Sequence, residues 1–190
     1  MRPMRLNLPR RSALILAAFA AACSSPSPTL YTLATVQGAE RRGAPKVIEL
    51  RTIGLARYLE RSQIVRSSED FRLDILSNEW WGEPLDTMMS RVLSQNLTQR
   101  LPGTTIFAEN GAVTAVPDAM LGINIQRLDL ARSGNVILIA QVSVTRRDAT
   151  ARTITIQVTP AGAGTSALVA AMSEAVGQLA DQAAGMLGAN

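Results

Sequence analysis

Residues 119–159, AMLGINIQRLDLARSGNVILIAQVSVTRRDATARTITIQVT, decide the fold class. Val136, Leu138, Ala140, Val142 and Val144 fall on one side of an extended chain. Ile154, Ile156 and Val158 alternate with polar neighbours, the period of two that a half-buried strand imposes. Ser133-Gly134-Asn135 supplies a hairpin turn before Val136. The run ahead of that turn also alternates, but its phase slips near Gln126 and Arg127, the signature of a bulge. Three antiparallel neighbours are therefore expected, at Ala119–Leu130, Val136–Thr145 and Thr153–Thr159.

The segments on either side change period. Leu85, Met88, Met89, Val92, Leu93, Leu97 and Leu101 recur at spacings of three and four, which makes one face of a helix apolar. Pro84 suits its first turn, Glu83 and Asp86 favour the positive end of its dipole, and Pro102-Gly103 ends it. From Ser166 to Leu187 an Ala-rich segment carries Leu168, Met172, Val176, Leu179, Met186 and Leu187 as a second helical stripe. Glu174, Gln178 and Asp181 interrupt it as a membrane span, so it is expected to pack on the sheet. Shorter strands are expected at Thr29–Ala34, Lys46–Ile53, Gln63–Arg66, Phe71–Leu76 and Ile106–Ala108. Gly38–Gly43 reads as a polar linker and Ser67-Ser68-Glu69-Asp70 as a turn. The expected class is α/β with α+β character: a single layered domain, a mixed sheet of about six or seven strands with two main helices packed on it.

Charge and composition remove several function classes. The chain of 190 residues has a formal net charge of +4. Arg2, Arg5, Arg10 and Arg11 all precede Cys23, where no acid stands, so the remainder carries 15 charges of each sign. A neutral domain lacks the basic footprint of nucleic-acid binding. There is no histidine and Cys23 is the sole cysteine, which excludes imidazole bases, thiolate nucleophiles and the usual zinc-ligand sets from the folded region. No cofactor or metal is expected, and 168 residues after the first 22 suit one core that buries roughly 70% of its unfolded surface.

Residues 1–22 have the Arg-rich start and short apolar run, Ala13 to Ala22, of an export signal, too short to span a bilayer. Phe19-Ala20-Ala21-Ala22-Cys23 resembles a bacterial lipobox, with Ala20 where Leu is usual. That resemblance implies that Cys23 becomes the lipidated first residue. A soluble exported chain would instead keep an unpaired reactive thiol. Residues 23–28, rich in Ser and Pro, form a tether that cannot build a core, and residues 29–190 form the domain. By resemblance to lipoprotein sorting signals, Ser24 implies the periplasmic face of an outer membrane; Arg10-Arg11 lacks the aromatic residue of a twin-arginine signal.

Catalytic motifs are weak. Glu79, Glu83 and Asp86 beside Trp80 and Trp81 allow a sugar-cleaving carboxylate pair to be imagined, but acids before a helix are expected from its dipole. Ala161-Gly162-Ala163-Gly164 lacks the Lys and the spacing of a phosphate loop. Arg146, Arg147 and Arg152 are expected as a solvated hairpin end, with contact to lipid headgroups the other use of such a cluster.

Two blocks carry a resemblance. Tyr58-Leu59-Glu60-Arg61-Ser62-Gln63-Ile64-Val65-Arg66 and Asn78-Glu79-Trp80-Trp81-Gly82-Glu83-Pro84-Leu85 are similar to motifs of the ABC-type transport auxiliary lipoproteins, the PqiC-like family. Glu60 stands where that family has Asp, and Gly82 where it has Ala. The lipobox, Leu30-Tyr31-Thr32-Leu33 and the closing helix follow in the same order. The resemblance implies a non-catalytic periplasmic lipoprotein that docks an MCE-domain protein beside an ABC permease and its ATPase, for transport of lipids or other hydrophobic substrates between membranes. Self-association into a ring is left open. Cys23 is the expected lipidation site, and Tyr58, Arg61, Arg66, Trp80, Trp81 and Glu83 are the candidate partner-binding residues, since aromatic and Arg side chains anchor interfaces. The competing reading has Trp81 in the core and Arg61 paired with Glu83 to pin two loops. A cell-envelope hydrolase and a purely structural outer-membrane assembly lipoprotein are the alternative functions.

Overall fold

The computed structural model describes residues 27–69, 71–113 and 115–188. The expected signal, Cys23 and most of the tether lie outside the described residues, as does Asp70 of the expected turn.

Among the described residues, nine strands and two long helices form two mixed sheets with helices packed on them. The larger sheet has the order β6-β2-β7-β8-β9, from Thr105–Ala108, Val47–Leu50, Ala119–Leu130, Val136–Thr145 and Ala149–Val158, with β3 (Gly54–Leu55) also on β7. The smaller has the order β1-β5-β4, from Thr29–Tyr31, Arg72–Trp81 and Gln63–Glu69. The α+β class is as expected, while the strands divide between two sheets of six and three rather than joining in one. Helix α1 (Leu85–Arg100) and helix α2 (Thr165–Leu187) pack against each other and against the large sheet.

The three expected antiparallel neighbours are β7, β8 and β9. The last starts at Ala149 instead of Thr153, because a three-residue turn, closed by Arg146 N–H donating to Asp148 O at 3.2 Å, lets pairing begin at Thr145 and Ala149. Ile125 pairs with Ala140 and Arg127 with Ile139, so Gln126 is the extra residue of a bulge where the alternation slips. The bulge decides which chemistry faces inward. Before it, Leu121, Ile123 and Ile125 hold the core face; after it Leu128 takes that face, and Arg127 and Asp129 turn away from the apolar core.

The expected first strand ends at Tyr31 instead of Ala34, and from there through the expected linker Gly38–Gly43 the chain forms a strap across both helices. Ala34 N–H donates to Ser173 Oγ at 3.0 Å, Val36 N–H to Asn96 Oδ1 at 2.9 Å and Arg41 N–H to Arg100 O at 2.6 Å. Arg100, fully buried, seals the crossing: Nε and Nη2 donate to Asp181 at 2.6 and 3.2 Å, Nη1 to Val36 O and Asn96 O, and Nη2 to Gly177 O. Every donor of the guanidinium is thus used, which is what makes its burial tolerable. Glycine permits the close approach: a Cβ on Gly38 would collide with that guanidinium, and one on Gly177 would lie 2.8 Å from Val36 Cβ.

Candidate functional site

The two sequence blocks meet in space. Trp81 N–H donates to Ser62 O at 2.7 Å and Gly82 N–H to Tyr31 O at 2.8 Å, so the end of β5 is held between β4 and β1 just before α1 begins. On the other side, Ala56 N–H donates to Ile125 O at 2.8 Å and starts the 3₁₀ turn Arg57–Leu59, whose Leu59 enters the core. Between them lies an open cleft of about 570 Å³. Ile53, Leu55, Trp81 and Leu85 give it apolar walls, while Glu60, Glu83 and Asp86 against Arg61 give it an excess of negative charge.

Three of the six candidate residues, Arg61, Trp81 and Glu83, line this cleft. Trp81 is also core, only 7% exposed, so it both supports the fold and walls the opening. The Arg61–Glu83 pair of the competing reading is not what holds the loops. Glu83 Oε1 accepts from Arg91 Nη2 at 2.5 Å, nearly two turns into α1, and Arg61 Nε donates to Tyr58 O at 2.9 Å, closing its own turn. Arg61 is exposed and Glu83 partly so, which keeps a second face of each available at the rim.

The other three stand elsewhere. Tyr58 points behind the cleft: its hydroxyl donates to Asp129 Oδ2 at 2.8 Å and accepts Leu128 N–H at 3.2 Å. Asp129 is buried and chelated by Arg127 through Nε and Nη2, so the bulge at Gln126 is what delivers this acid to Tyr58. Burial, then the charge of Asp129, push the Tyr58 hydroxyl far above the ordinary phenol range. Trp80, paired in register with Leu30 and Gln63, lies off the core, with Nε1 donating to Ser77 O at 2.8 Å. Arg66 sits on the β4–β5 hairpin, 3.7 Å from Asp74.

The imagined carboxylate pair loses its geometry. Glu83 and Asp86 line the cleft, whereas Glu79 stands outside it near Tyr31, whose hydroxyl the Glu79 carboxylate, then burial, push above its ordinary range. Among the described residues no group of three or more His, Cys, Asp or Glu could hold a metal ion.

Sequence reasoning missed the Asp129–Arg127–Tyr58 cluster and the Arg100 clamp. A signal for the clamp existed: Asn96 and Arg100 continue the apolar stripe of α1 at a spacing of three from Leu93 and Leu97, where a polar side chain must find partners inside.

A family model described as ABC-type transport auxiliary lipoprotein component matches residues 31–184. Two solved structures share the fold. One, described only as an uncharacterized protein, has a TM-score of 0.74 at 17% identity over 86% of this chain and 100% of its own. The other, protein XCC0632 from Xanthomonas campestris, assigned to DUF330, has a TM-score of 0.69 at 14% identity over 84% of this chain and 94% of its own. No curated protein matches the chain in sequence.

Proposed function

The chain belongs to the ABC-type transport auxiliary lipoprotein component family, and from that premise we propose that it is the docking subunit of such a system, anchored by acylated Cys23 on the periplasmic face of the outer membrane. Its partner is an MCE-domain protein that works with an ABC permease and ATPase in moving lipids or other hydrophobic substrates.

The observation that carries this reading is the open cleft at which the two sequence blocks converge. Its surroundings explain why those residues stand in those blocks. Leu59, Ile64, Trp81 and Leu85 are core; Tyr58 and Arg61 build the turn; Glu83 locks the start of α1 through Arg91. The product is a firm apolar floor under an acidic rim, which suits a partner segment with an apolar anchor flanked by basic residues. No described helix is long and apolar enough to cross a membrane, which leaves the acyl chain as the anchor in this reading.

Metabolic labelling with palmitate tests the anchor: the wild type is labelled and Cys23→Ser is not. Equal labelling of both would overturn it. A pull-down in mild detergent tests the partner: an MCE-domain protein is recovered with the wild type, and recovery falls in a Glu60→Lys, Arg61→Glu double variant, whose exposed positions leave the fold intact. No MCE-domain protein with either chain would sink the reading.

A further inference from the structure

The smaller sheet ends in a hairpin whose tip nothing among the described residues covers. Leu76 and Trp81 are the apolar residues through which β5 packs on the core. Leu73 and Ile75 turn the other way and are each 47% exposed; Leu30, on the neighbouring edge strand, is 62% exposed, and Phe71 at the hairpin tip is wholly exposed. Register puts Val65 opposite Ile75, but Val65 is only 4% exposed and Leu73 shares a recess with Tyr58, Arg127 and Asp129, so the body of this face is partly covered and exposure is greatest toward the tip. On the reverse side of the same hairpin, Arg66 and Arg72 carry long, half-exposed side chains that share Asp74. A hairpin with an apolar tip, flanked by such cations, suits the boundary between headgroups and acyl chains, where apolar atoms enter and guanidinium groups stay wet.

Chain direction says what covers it. β1 runs parallel to β5, with Thr29 beside Glu79 and Tyr31 beside Trp81. Followed backwards from Thr29, the chain therefore leaves the sheet toward the start of β5, where Phe71 and Leu73 lie. Cys23 is six residues before Thr29, a reach of roughly 20 Å at full extension, against roughly 25 Å from Glu79 back to Phe71. We infer that the β4–β5 hairpin, with its Phe71 tip leading, rests on the lipid surface that holds the Cys23 acyl chains. This inference rests on the anchoring proposed above. Once the anchor is inserted, docking is intramolecular, so a small patch suffices to orient the domain.

The test uses the full acylated protein in phosphatidylethanolamine–phosphatidylglycerol vesicles. Cys23 is the sole cysteine, so once acylated it leaves Phe71→Cys or Val116→Cys as the single site for a bimane label. Val116 is also highly exposed but precedes the start of β7, whereas the hairpin lies by the far end of that strand, roughly 35 Å away. Flotation with the vesicles reports the anchor, and quenching by nitroxide-labelled lipid reports the hairpin tip. The expected result is flotation of both variants, with a blue shift and loss of most emission at position 71 and neither at 116. Flotation with position 71 unquenched overturns the inference and leaves the anchor standing. A blue shift at 71 without lipid quenching means that a second copy covers the tip, which also overturns it. Failure to float overturns the anchor and the inference together.

Discussion

Tyr58 carries the expectation of a surface anchor, and the structure turns its hydroxyl inward instead. That hydroxyl ties the 3₁₀ turn to β7 through Asp129 and the Leu128 amide. Tyr58→Phe removes both bonds while keeping the ring, so unfolding in urea should show a loss of about 1–2 kcal/mol. The pH dependence has a definite sign. The folded hydroxyl is raised by burial and by Asp129, so its contribution is intact below the ordinary phenol value of about 10. Above that pH the unfolded chain releases its proton first and stability falls. Tyr58→Phe should flatten this alkaline fall, leaving a smaller slope from Tyr31, the other tyrosine, which is also raised. An unchanged slope would rule out the buried Tyr58–Asp129 bond. The residues of both blocks are visible in the sequence, but Tyr58 takes its direction from a strand some 70 positions away, which spacing alone does not encode.

The elements divide by whether their signal is periodic. The Gln126 bulge is legible because a period of two records which face each residue takes, and a slip in that period has a single structural meaning. Deleting Gln126 removes only the extra residue: Ile125 stays opposite Ala140 and Leu128 opposite Leu138, so the core face is kept and melting should remain cooperative. Deleting Asn124 instead forces the bulge to absorb the loss, sending Ile125 outward and Gln126 into the buried place opposite Ala140. Circular-dichroism melting of that variant should show a loss of about 3 kcal/mol or more, or no cooperative fold. The strap is illegible because residues 32–42 have no period and three of their backbone amides bond to side chains of the two helices. Gly177→Val tests it: the new side chain meets Val36, which should cost about 1–3 kcal/mol. Hydrogen exchange should speed up at the Ala34 and Val36 amides ahead of the rest of the domain. The division into two sheets is hidden for a related reason, since alternation fixes the buried face of a strand and leaves its neighbour open.

At the scale of the whole molecule, membrane and partner are assigned to opposite ends of one strand. β5 runs ten residues from the exposed hairpin to the cleft, roughly 30 Å, so a domain resting on its hairpin presents Trp81, Arg61 and Glu83 away from the lipid. The neutral charge of residues 23–190 fits a body whose contacts are local patches, an apolar hairpin tip at one end and an acidic rim at the other, with no overall field. Arg100 ties the strap that follows β1 to both helices, since its guanidinium bonds Val36 O on the strap and Gly177 O on α2. Asp181→Ala would leave the buried guanidinium without its carboxylate, and urea unfolding should register a loss of about 2 kcal/mol. The most direct measurement of the central claim is photo-crosslinking in intact cells from a reactive residue placed at Glu60, on the cleft rim, or at Val116, away from both ends. The account predicts an adduct with an MCE-domain protein from position 60 and none from position 116; no adduct from 60, or equal adducts from both, would contradict it.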